Sequence, residues 1–268
     1  MEKIRVKVNW PSYSGKAEGG VDDIVAKRFF GNQLGNCLEI GAARPDWLSL
    51  GAKFRTLGWD VLSVEPNPYF ANLHRKEGHD VAQVAVGDHD SYSVPFVIVD
   101  SQGAQYRDGR VSFESWSSLG IRTKFKSIFP DFPQKTIHVR LCRADTVIKE
   151  CRPDWTKIDL LTIDVEGWEI EALSGLSFDI YSPSVCIVEN LFVQYTYRHF
   201  MERRGYILWL LKYPNEIYVS AELLKPMEKA LAKLNCDLRT AVIRWLLKLK
   251  KKYKEVRKMV MRRDTLCR

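Results

Sequence analysis

Residues 158–175 read I-D-L-L-T-I-D-V-E-G-W-E-I-E-A-L-S-G, and they carry the clearest indication of the fold class. Its first part, Ile158 to Ile163, is a nearly continuous apolar run, typical of a strand buried on both faces in a parallel sheet. Gly167 allows a sharp turn. From Trp168 onward apolar residues recur at helical spacing until Gly175. The stretch therefore predicts a central strand, a turn and a helix.

Two carboxylates, Asp164 and Glu166, fall where this strand ends and the helix begins. In an open parallel sheet this edge is where ligands bind. Buried carboxylates close to one another are costly unless a proton, a metal ion or a cationic ligand accompanies them. The two side chains are therefore candidates for catalysis or binding.

The rest of the chain alternates short apolar strands with amphipathic helices. We predict strands over 36–41, 59–64, 80–86, 94–99, 137–141, 158–163 and 184–188, and helices over 21–34, 45–57, 69–76, 144–150, 168–175 and 193–203. This order predicts an α/β fold with a doubly wound, mostly parallel sheet. Two further runs, 206–211 and 216–219, flank a turn and predict an antiparallel hairpin at the sheet edge.

The 268 residues are enough for one α/β domain with additions. We expect a strand and a helix within residues 1–35, the main domain over 36–220 and a C-terminal extension over 221–268. Residues 91–133 break the strand–helix rhythm with a segment rich in Gly, Ser and polar residues. We expect this insertion to lie over the carboxyl ends of the strands and to shape a substrate pocket.

The composition, 46% hydrophobic and 12% aromatic, supports a sizeable core and excludes global disorder. Six cysteines show no C-x-x-C pair and no zinc spacing. Cys37 and Cys186 lie inside apolar runs and are expected to be buried thiols. The N-terminus has no apolar signal core, and no apolar run reaches about 18 residues. We therefore expect a soluble, cytoplasmic protein.

The net charge of +8 is concentrated at the C-terminal end, since twelve of the 41 Lys and Arg residues but only three of the 33 acidic residues lie from Cys236 onward. Residues 237–263 predict a basic amphipathic helix whose apolar face holds Leu238, Val242, Trp245, Leu246, Leu249, Tyr253, Val256 and Val260. Such a helix can lie on an anionic membrane surface, or dock onto its own domain or a partner. Nucleic acid is the least favoured partner, because the remaining residues carry no basic stripe. The oligomeric state is not indicated.

The predicted strand ends carry groups suited to a nucleoside-type cofactor with an amino-acid portion. Gly41 lets the backbone approach a ligand, and the helix start that follows favours an anionic group. Glu39 would orient this loop or meet an ammonium group. Glu65 ends the second strand, where an acidic side chain typically accepts hydrogen bonds from ribose hydroxyls. A nicotinamide cofactor is disfavoured, because the loop over residues 41–46 lacks the G-x-G-x-x-G pattern.

Five motifs occur in an informative order: L-E-I-G-A at 38–42, V-E-P-N-P at 64–68, A-V-G-D at 85–88, D-V-E-G-W-E-I-E-A-L-S-G at 164–175 and I-V-E-N at 187–190. Together they resemble the FkbM family of S-adenosylmethionine-dependent methyltransferases, and the D-V-E-G block is the most family-specific part. The resemblance covers roughly residues 36–219. It implies a class I methyltransferase fold and methyl transfer to an oxygen, often a hydroxyl of a sugar or natural product.

The resemblance also implies roles for individual residues, with S-adenosylmethionine as the cofactor. The implied cofactor contacts are Glu39, Gly41, Ala42 and Ala43 near the methionine part, Glu65 and Pro66 near the ribose, and Val86, Gly87 and Asp88 near the adenine. The implied reaction-centre residues are Asp164, Glu166 and Glu189. Two positions depart from the family pattern, namely the loop Ala43-Arg44-Pro45, where a glycine-containing turn is usual, and Thr162, where Lys is frequent.

Methyl transfer is an in-line displacement at a sulfonium carbon, so the protein must align the acceptor oxygen and remove its proton. We expect Glu166 or Asp164 to be the base, with Glu189 as the orienting partner. Alternatively, the three carboxylates gather a divalent cation that acidifies the hydroxyl, or Asp164 only contacts the cofactor while Glu166 caps the helix. An alternative function is a catalytically silent binding module, tethered by its tail to a membrane or a partner.

Overall fold

The apolar runs form a seven-stranded sheet in the computed structural model, which describes residues 17–103, 105–106, 111–126 and 132–266. The strands are β1 (Asn36–Ile40), β2 (Asp60–Val64), β3 (Val81–Ala82), β4 (Ala85–Val86), β5 (Ser91–Val99), β6 (Gln105–Tyr106), β7 (Val111–Ser112), β8 (Gln134–Cys142), β9 (Leu160–Ile163), β10 (Val185–Glu189), β11 (Tyr206–Lys212) and β12 (Asn215–Ser220). Seven of these twelve strands form the main sheet, in the order β11-β12-β10-β9-β1-β2-β3. The strand predicted within the first residues lies outside the described ranges.

The pairing confirms the predicted doubly wound sheet with an antiparallel edge hairpin. Strands β10, β9, β1, β2 and β3 pair in parallel, whereas β12 runs antiparallel to both β10 and β11. The chain order reverses between β1 and β9, so the crevice outside their carboxyl ends is where this fold class binds ligands.

Helices cover both faces of the sheet. They are α1 (Val21–Val25), α2 (Ala52–Thr56), α3 (Pro68–Lys76), α4 (Thr123–Lys126), α5 (Ala144–Cys151), α6 (Glu169–Ser174), α7 (Phe178–Tyr181), α8 (Tyr195–Glu202) and α9 (Pro226–Leu266), and α1 continues as a π-helical segment over Ala26–Phe30. The buried apolar side chains form one cluster on each face, and the predicted burial of Cys37 and Cys186 is confirmed. None of the helices in the described part of the chain has the length and hydropathy needed to cross a membrane.

The strand predicted over 80–86 is wrong in one respect, because the chain changes sheets within it. Val81–Ala82 pairs with β2, whereas Ala85–Val86 pairs with β8 in a separate sheet of order β4-β8-β5. Ala85 packs there with Phe96 and Leu141. This small core supplies the burial that draws the second half of the run away from the main sheet.

The helix predicted over 45–57 is also wrong at its start, since the helical residues are only Ala52–Thr56. Residues 41–51 instead form an irregular loop in which Leu48 has a φ of 61°. Glu39 accepts hydrogen bonds from the Ser49 hydroxyl and the Gly51 amide, at 2.7 and 2.8 Å. These bonds hold the end of the loop against β1, and the helix begins only after them.

Candidate active site

A cleft lies at the carboxyl ends of the central strands and contains most of the predicted site residues. Its lining includes Gly41, Ala43, Glu65, Pro66, Val86, Asp164 and Glu166. The opposite wall comes from the described part of the insertion, including Glu114, Ser115 and Ser117. Five of the predicted residues, Glu39, Ala42, Gly87, Asp88 and Glu189, are not part of the lining.

Glu65 is held in the cleft by the backbone on either side of it. Its Oε2 accepts a hydrogen bond from the Ala43 amide at 2.8 Å, and its Oε1 accepts one from the Asn67 amide at 2.7 Å. Burial raises the pKa of Glu65 to about 7, against the lowering effect of these two bonds. The carboxyl group is therefore fixed in place and titrates near neutrality.

Glu39 points away from the cleft and organises the loop after β1. Besides Ser49 and Gly51, its carboxylate accepts hydrogen bonds from Arg55 at 2.8 Å and from the Ser63 hydroxyl at 2.9 Å. Burial raises its pKa, but the charge of Arg55 and the hydrogen bonds outweigh burial and hold the pKa below its ordinary value. Of the two roles expected for Glu39, the structure favours loop orientation, because protein donors already surround the side chain.

Gly41 sits where β1 meets the turn after β9. Its φ is 80°, and a Cβ atom at this position would lie 1.8 Å from the carbonyl oxygen of Asp164. The amides of Gly41 and Ala42 both donate to the carbonyl oxygen of Val64, at 2.9 and 3.2 Å. Glycine is therefore required here for the close approach of the two strand ends, and Ala42 is buried behind them.

The loop that departs from the family pattern leaves the cleft open. Arg44 turns aside to form a two-point ion pair with Asp46, with distances of 3.0 and 2.8 Å. Neither Arg44 nor Pro45 is among the cleft residues. The carbonyl oxygen of Ala43 lies 3.1 Å from Nε2 of the buried His74, which supports the loop from beneath.

Gly87 and Asp88 leave the cleft because the chain turns toward β8 after Val86. The Gly87 amide donates to the carbonyl oxygen of Cys142 at 3.0 Å. The Asp88 side chain is more than half exposed and lies 2.7 Å from Nδ1 of His89. Of this predicted trio, only Val86 lines the cleft.

A compact group of carboxylates lies beside the cleft, and its membership differs from the prediction. Oxygen atoms of Asp164, Glu169 and Glu189 lie within 4.8 Å of one another. Glu169 thus takes the place expected for Glu166, which lines the cleft instead. The physical reason is the turn after β9, where Glu166 has a φ of 57° and Gly167 a φ of 96°.

Glu169 is buried and bonded on both oxygens. Oε1 accepts hydrogen bonds from the amides of Val165 and Gly167, at 3.2 and 2.9 Å, and Oε2 accepts one from the Tyr197 hydroxyl at 2.6 Å. These bonds hold the turn before α6, whereas one alternative expected Glu166 to cap the helix itself; no side chain makes a capping hydrogen bond at the N-cap residue Trp168. The available sequence signal was the second glutamate of the D-V-E-G-x-E block, whereas nothing local marked Tyr197.

Glu189 ends β10 and is 9% exposed. Burial raises its pKa well above the ordinary value, and the charges of Asp164 and Glu166 raise it further. Within the described ranges, no hydrogen-bond donor reaches its Oε2 atom. The side chain therefore favours its protonated form, in which it can donate a hydrogen bond to a neighbouring carboxylate.

The insertion is attached directly to the turn that carries Asp164 and Glu166. The Trp168 indole donates to the carbonyl oxygen of Gly120 at 2.9 Å, and the Arg122 guanidinium lies 3.7 Å from the centre of the Trp168 ring. Arg122 also pairs with Glu171 on α6. The wall of the cleft and the carboxylates beneath it are thus coupled through one tryptophan.

The fold defines a doubly wound α/β protein with a cleft at the switch point of its sheet. Residues 39–208 match the methyltransferase FkbM domain, and this match covers more than half of the chain. The chain therefore belongs to the FkbM methyltransferase domain family.

A solved structure of a methyltransferase FkbM from Methylobacillus flagellatus KT is similar over 69% of this chain, with 12% identity and a TM-score of 0.38. The match covers 43% of that protein's chain. No curated protein matches the sequence.

Proposed function

We propose that this protein transfers a methyl group from S-adenosylmethionine to a hydroxyl oxygen of a sugar or another small molecule. The observation that carries the proposal is that one cleft holds both Glu65 and the pair Asp164 and Glu166. A group suited to ribose and groups suited to proton removal therefore face the same space.

The residues present fit a nucleoside cofactor. Glu65 keeps acceptor capacity beyond its two backbone bonds, because a carboxylate offers about four lone-pair sites. The cleft wall near it includes Pro66, Phe70 and Val86, which are apolar surfaces on which a purine can pack. The cofactor supplies an electrophilic methyl group on sulfur, and the remaining tasks, alignment and proton removal, belong to the protein.

Asp164 and Glu166 are the proposed bases, since both face the cleft. Glu189 lies behind them and favours its protonated form. A neutral acid there can hold Asp164 by a hydrogen bond and reduce charge repulsion in the cluster. Glu189 is thus a positioning residue, and the acceptor hydroxyl loses its proton to Asp164 or Glu166.

A divalent cation is the second way to activate the hydroxyl, and Asp164, Glu169 and Glu189 are the ligands that would hold it. The oxygens of Glu169, however, already accept three hydrogen bonds, and Glu189 would have to lose its proton. These features favour a proton held within the carboxylate group over a bound divalent cation. Methyl transfer that stays unchanged after a chelator removes divalent cations would support that choice. Methyl transfer that is lost on chelation and restored by added Mg²⁺ or Mn²⁺ would establish the cation.

Calorimetric titration with S-adenosylmethionine and with its demethylated product, S-adenosylhomocysteine, tests the cofactor assignment. We expect micromolar binding of both ligands that is lost in Glu65→Ala. Glu77→Ala is the matched control, because Glu77 is an exposed acid just beyond α3. Bound cofactor would justify a screen of hydroxylated sugars for methyl transfer.

Binding of neither ligand would overturn the proposal and favour the catalytically silent module. The structure supplies one argument against that module. Arg44 and Pro45, the residues that depart from the family pattern, lie outside the cleft and do not fill it.

A further inference from the structure

Helix α9 presents two different faces, and only one of them is used by the domain. Ala232, Cys236 and Thr240 are buried against the domain. The side chain of Asp237 pairs with Arg198 on α8 at 2.5 Å, and Arg244 donates to the carbonyl oxygen of Val193 at 3.1 Å. The helix is therefore docked along one side over its first half.

The other side of the helix carries an apolar stripe in contact with solvent. We call it the outer stripe, and its members are 44–60% exposed: Leu231, Leu234, Leu238, Val242, Trp245, Leu246 and Leu249. Their spacing of three or four residues places them along one face of the helix. A contiguous apolar surface of this kind on a soluble domain marks a contact with a partner or a membrane.

This arrangement separates two alternatives that the sequence left open. As far as Leu249, the predicted apolar face, which includes Leu238 and Trp245, is not the face that docks onto the domain. The side chains of Tyr253, Val256 and Val260 lie outside the described part of the helix. Docking instead uses a different set of residues, in which Cys236 and Thr240 are buried and Ile243 and Leu247 pack against the core of the domain. The domain thus holds the helix in place and leaves the outer stripe directed away from it.

The charge of the helix decides what fits the stripe. Residues 226–266 contain thirteen Lys and Arg residues and four Asp and Glu residues. A second copy of the chain would bring two strongly cationic helices together, which is unfavourable. Nucleic acid would satisfy the charge but leave the leucines and the tryptophan in water. An anionic bilayer suits both the charge of the helix and its apolar stripe, because phosphate headgroups meet the cations while the apolar side chains enter the interface.

We propose that the outer stripe of α9 binds the surface of an anionic lipid bilayer, with the helix lying in the plane of the interface. The docked face then keeps the domain on the water side of the helix. Trp245 stands among the leucines of the stripe, and an indole suits the boundary between headgroups and acyl chains.

The test uses the whole 268-residue chain and flotation with vesicles of phosphatidylcholine, with or without roughly a third phosphatidylserine. We expect at least about tenfold tighter binding to the anionic vesicles, with the difference reduced by added salt. Trp245 fluorescence should shift to shorter wavelength on binding, although other tryptophans contribute, so the shift is compared with that of Trp245→Phe.

The decisive variant is Leu238→Gln/Val242→Gln, which changes two exposed side chains and leaves the docked face intact. We expect it to lose at least about tenfold in affinity for anionic vesicles. The control is Leu34→Gln/Ile180→Gln, since both residues are exposed apolar side chains far from α9 in sequence. Equal binding of the variant and the wild type would overturn the proposal. The proposal would also be overturned if the protein failed to bind vesicles and instead formed a dimer that the stripe variant dissociates. Failure to bind vesicles together with binding to nucleic acid would overturn it as well.

Discussion

The hydroxyl of Tyr197 donates a 2.6 Å hydrogen bond to Oε2 of Glu169, and this bond ties α8 to the turn after β9. The other oxygen of Glu169 accepts hydrogen bonds from the amides of Val165 and Gly167. Both side chains are buried. One carboxylate therefore holds the turn that presents Asp164 and Glu166 to the cleft.

Tyr197→Phe should lower the free energy of unfolding by about 1–3 kcal/mol, because it removes the donor from a buried acceptor. Urea denaturation measures the change. Tyr195→Phe is the matched control at the start of the same helix, since Tyr195 is 47% exposed and keeps its ring contact with Arg244 as Phe. An equal, small effect of both variants would show that the Tyr197 bond does not stabilise the turn.

Gly41→Ala should prevent stable folding or unfold the protein at much lower temperature. Its Cβ would lie 1.8 Å from the carbonyl oxygen of Asp164, in addition to the strain of a φ of 80°. Gly78→Ala isolates the second effect, because Gly78 has a φ of 74° and no atom near its Cβ position. We expect Gly78→Ala to cost on the order of 1 kcal/mol. Thermal melts compare the two, and similar melting temperatures would contradict the close approach of β1 and β9.

Glu166→Gln and Asp164→Asn should each leave cofactor binding nearly intact. The variant that removes the base should cut methyl transfer by roughly 10²-fold or more, the scale of general acid–base catalysis. Single-turnover rates with an identified acceptor, together with titration of S-adenosylhomocysteine, make the comparison. Asp179→Asn serves as the control, since Asp179 is an exposed acid on α7. Full activity in both site variants would remove this pair from the chemistry.

Cofactor affinity should depend on pH through Glu65, whose pKa is about 7 because it is buried. The ionised carboxylate accepts hydrogen bonds from ribose hydroxyls more strongly than the neutral acid does. Affinity should therefore rise as pH increases, with S-adenosylhomocysteine bound about tenfold more weakly at roughly pH 6 than at roughly pH 8. Glu65→Gln should show weak binding without this dependence. A pH profile of the wild type as flat as that of the variant would reject the assignment.

Stability should fall with rising pH through Glu216, which is buried on β12 and hydrogen-bonded to the Tyr218 hydroxyl at 2.5 Å. Burial raises its folded-state pKa from 4.5 to about 7, so the folded state keeps a proton that the unfolded state releases. The resulting stability is fully present below the unfolded pKa and is lost as pH rises through the folded pKa. Relative to Glu216→Gln, the wild type should lose roughly 3 kcal/mol of unfolding free energy across this window. If the free energy of unfolding changed with pH in the same way for both proteins, Glu216 would not be the cause of the pH dependence.

Features that depend on local pattern were predictable. The apolar runs at 36–41 and 158–163 became β1 and β9, and the edge hairpin formed as expected. The ends of the strand over 80–86 and of the helix over 45–57 were not predictable, because they depend on contacts with residues far away in the chain. Leu141 and Phe96 draw Ala85 into another sheet, and Glu39 holds Ser49 and Gly51 in a loop.

Sequence pattern alone was enough to predict the parallel sheet and the acidic residues at the ends of β2, β9 and β10, because periodicity and turn residues are properties of neighbouring positions. Which carboxylates meet, and which face of α9 stays in water, depended on how distant segments pack together. A left-handed turn at Glu166 sends that side chain to the cleft and brings Glu169 to Asp164 and Glu189. Such choices depend on packing between segments far apart in the chain, where burial of one surface excludes another.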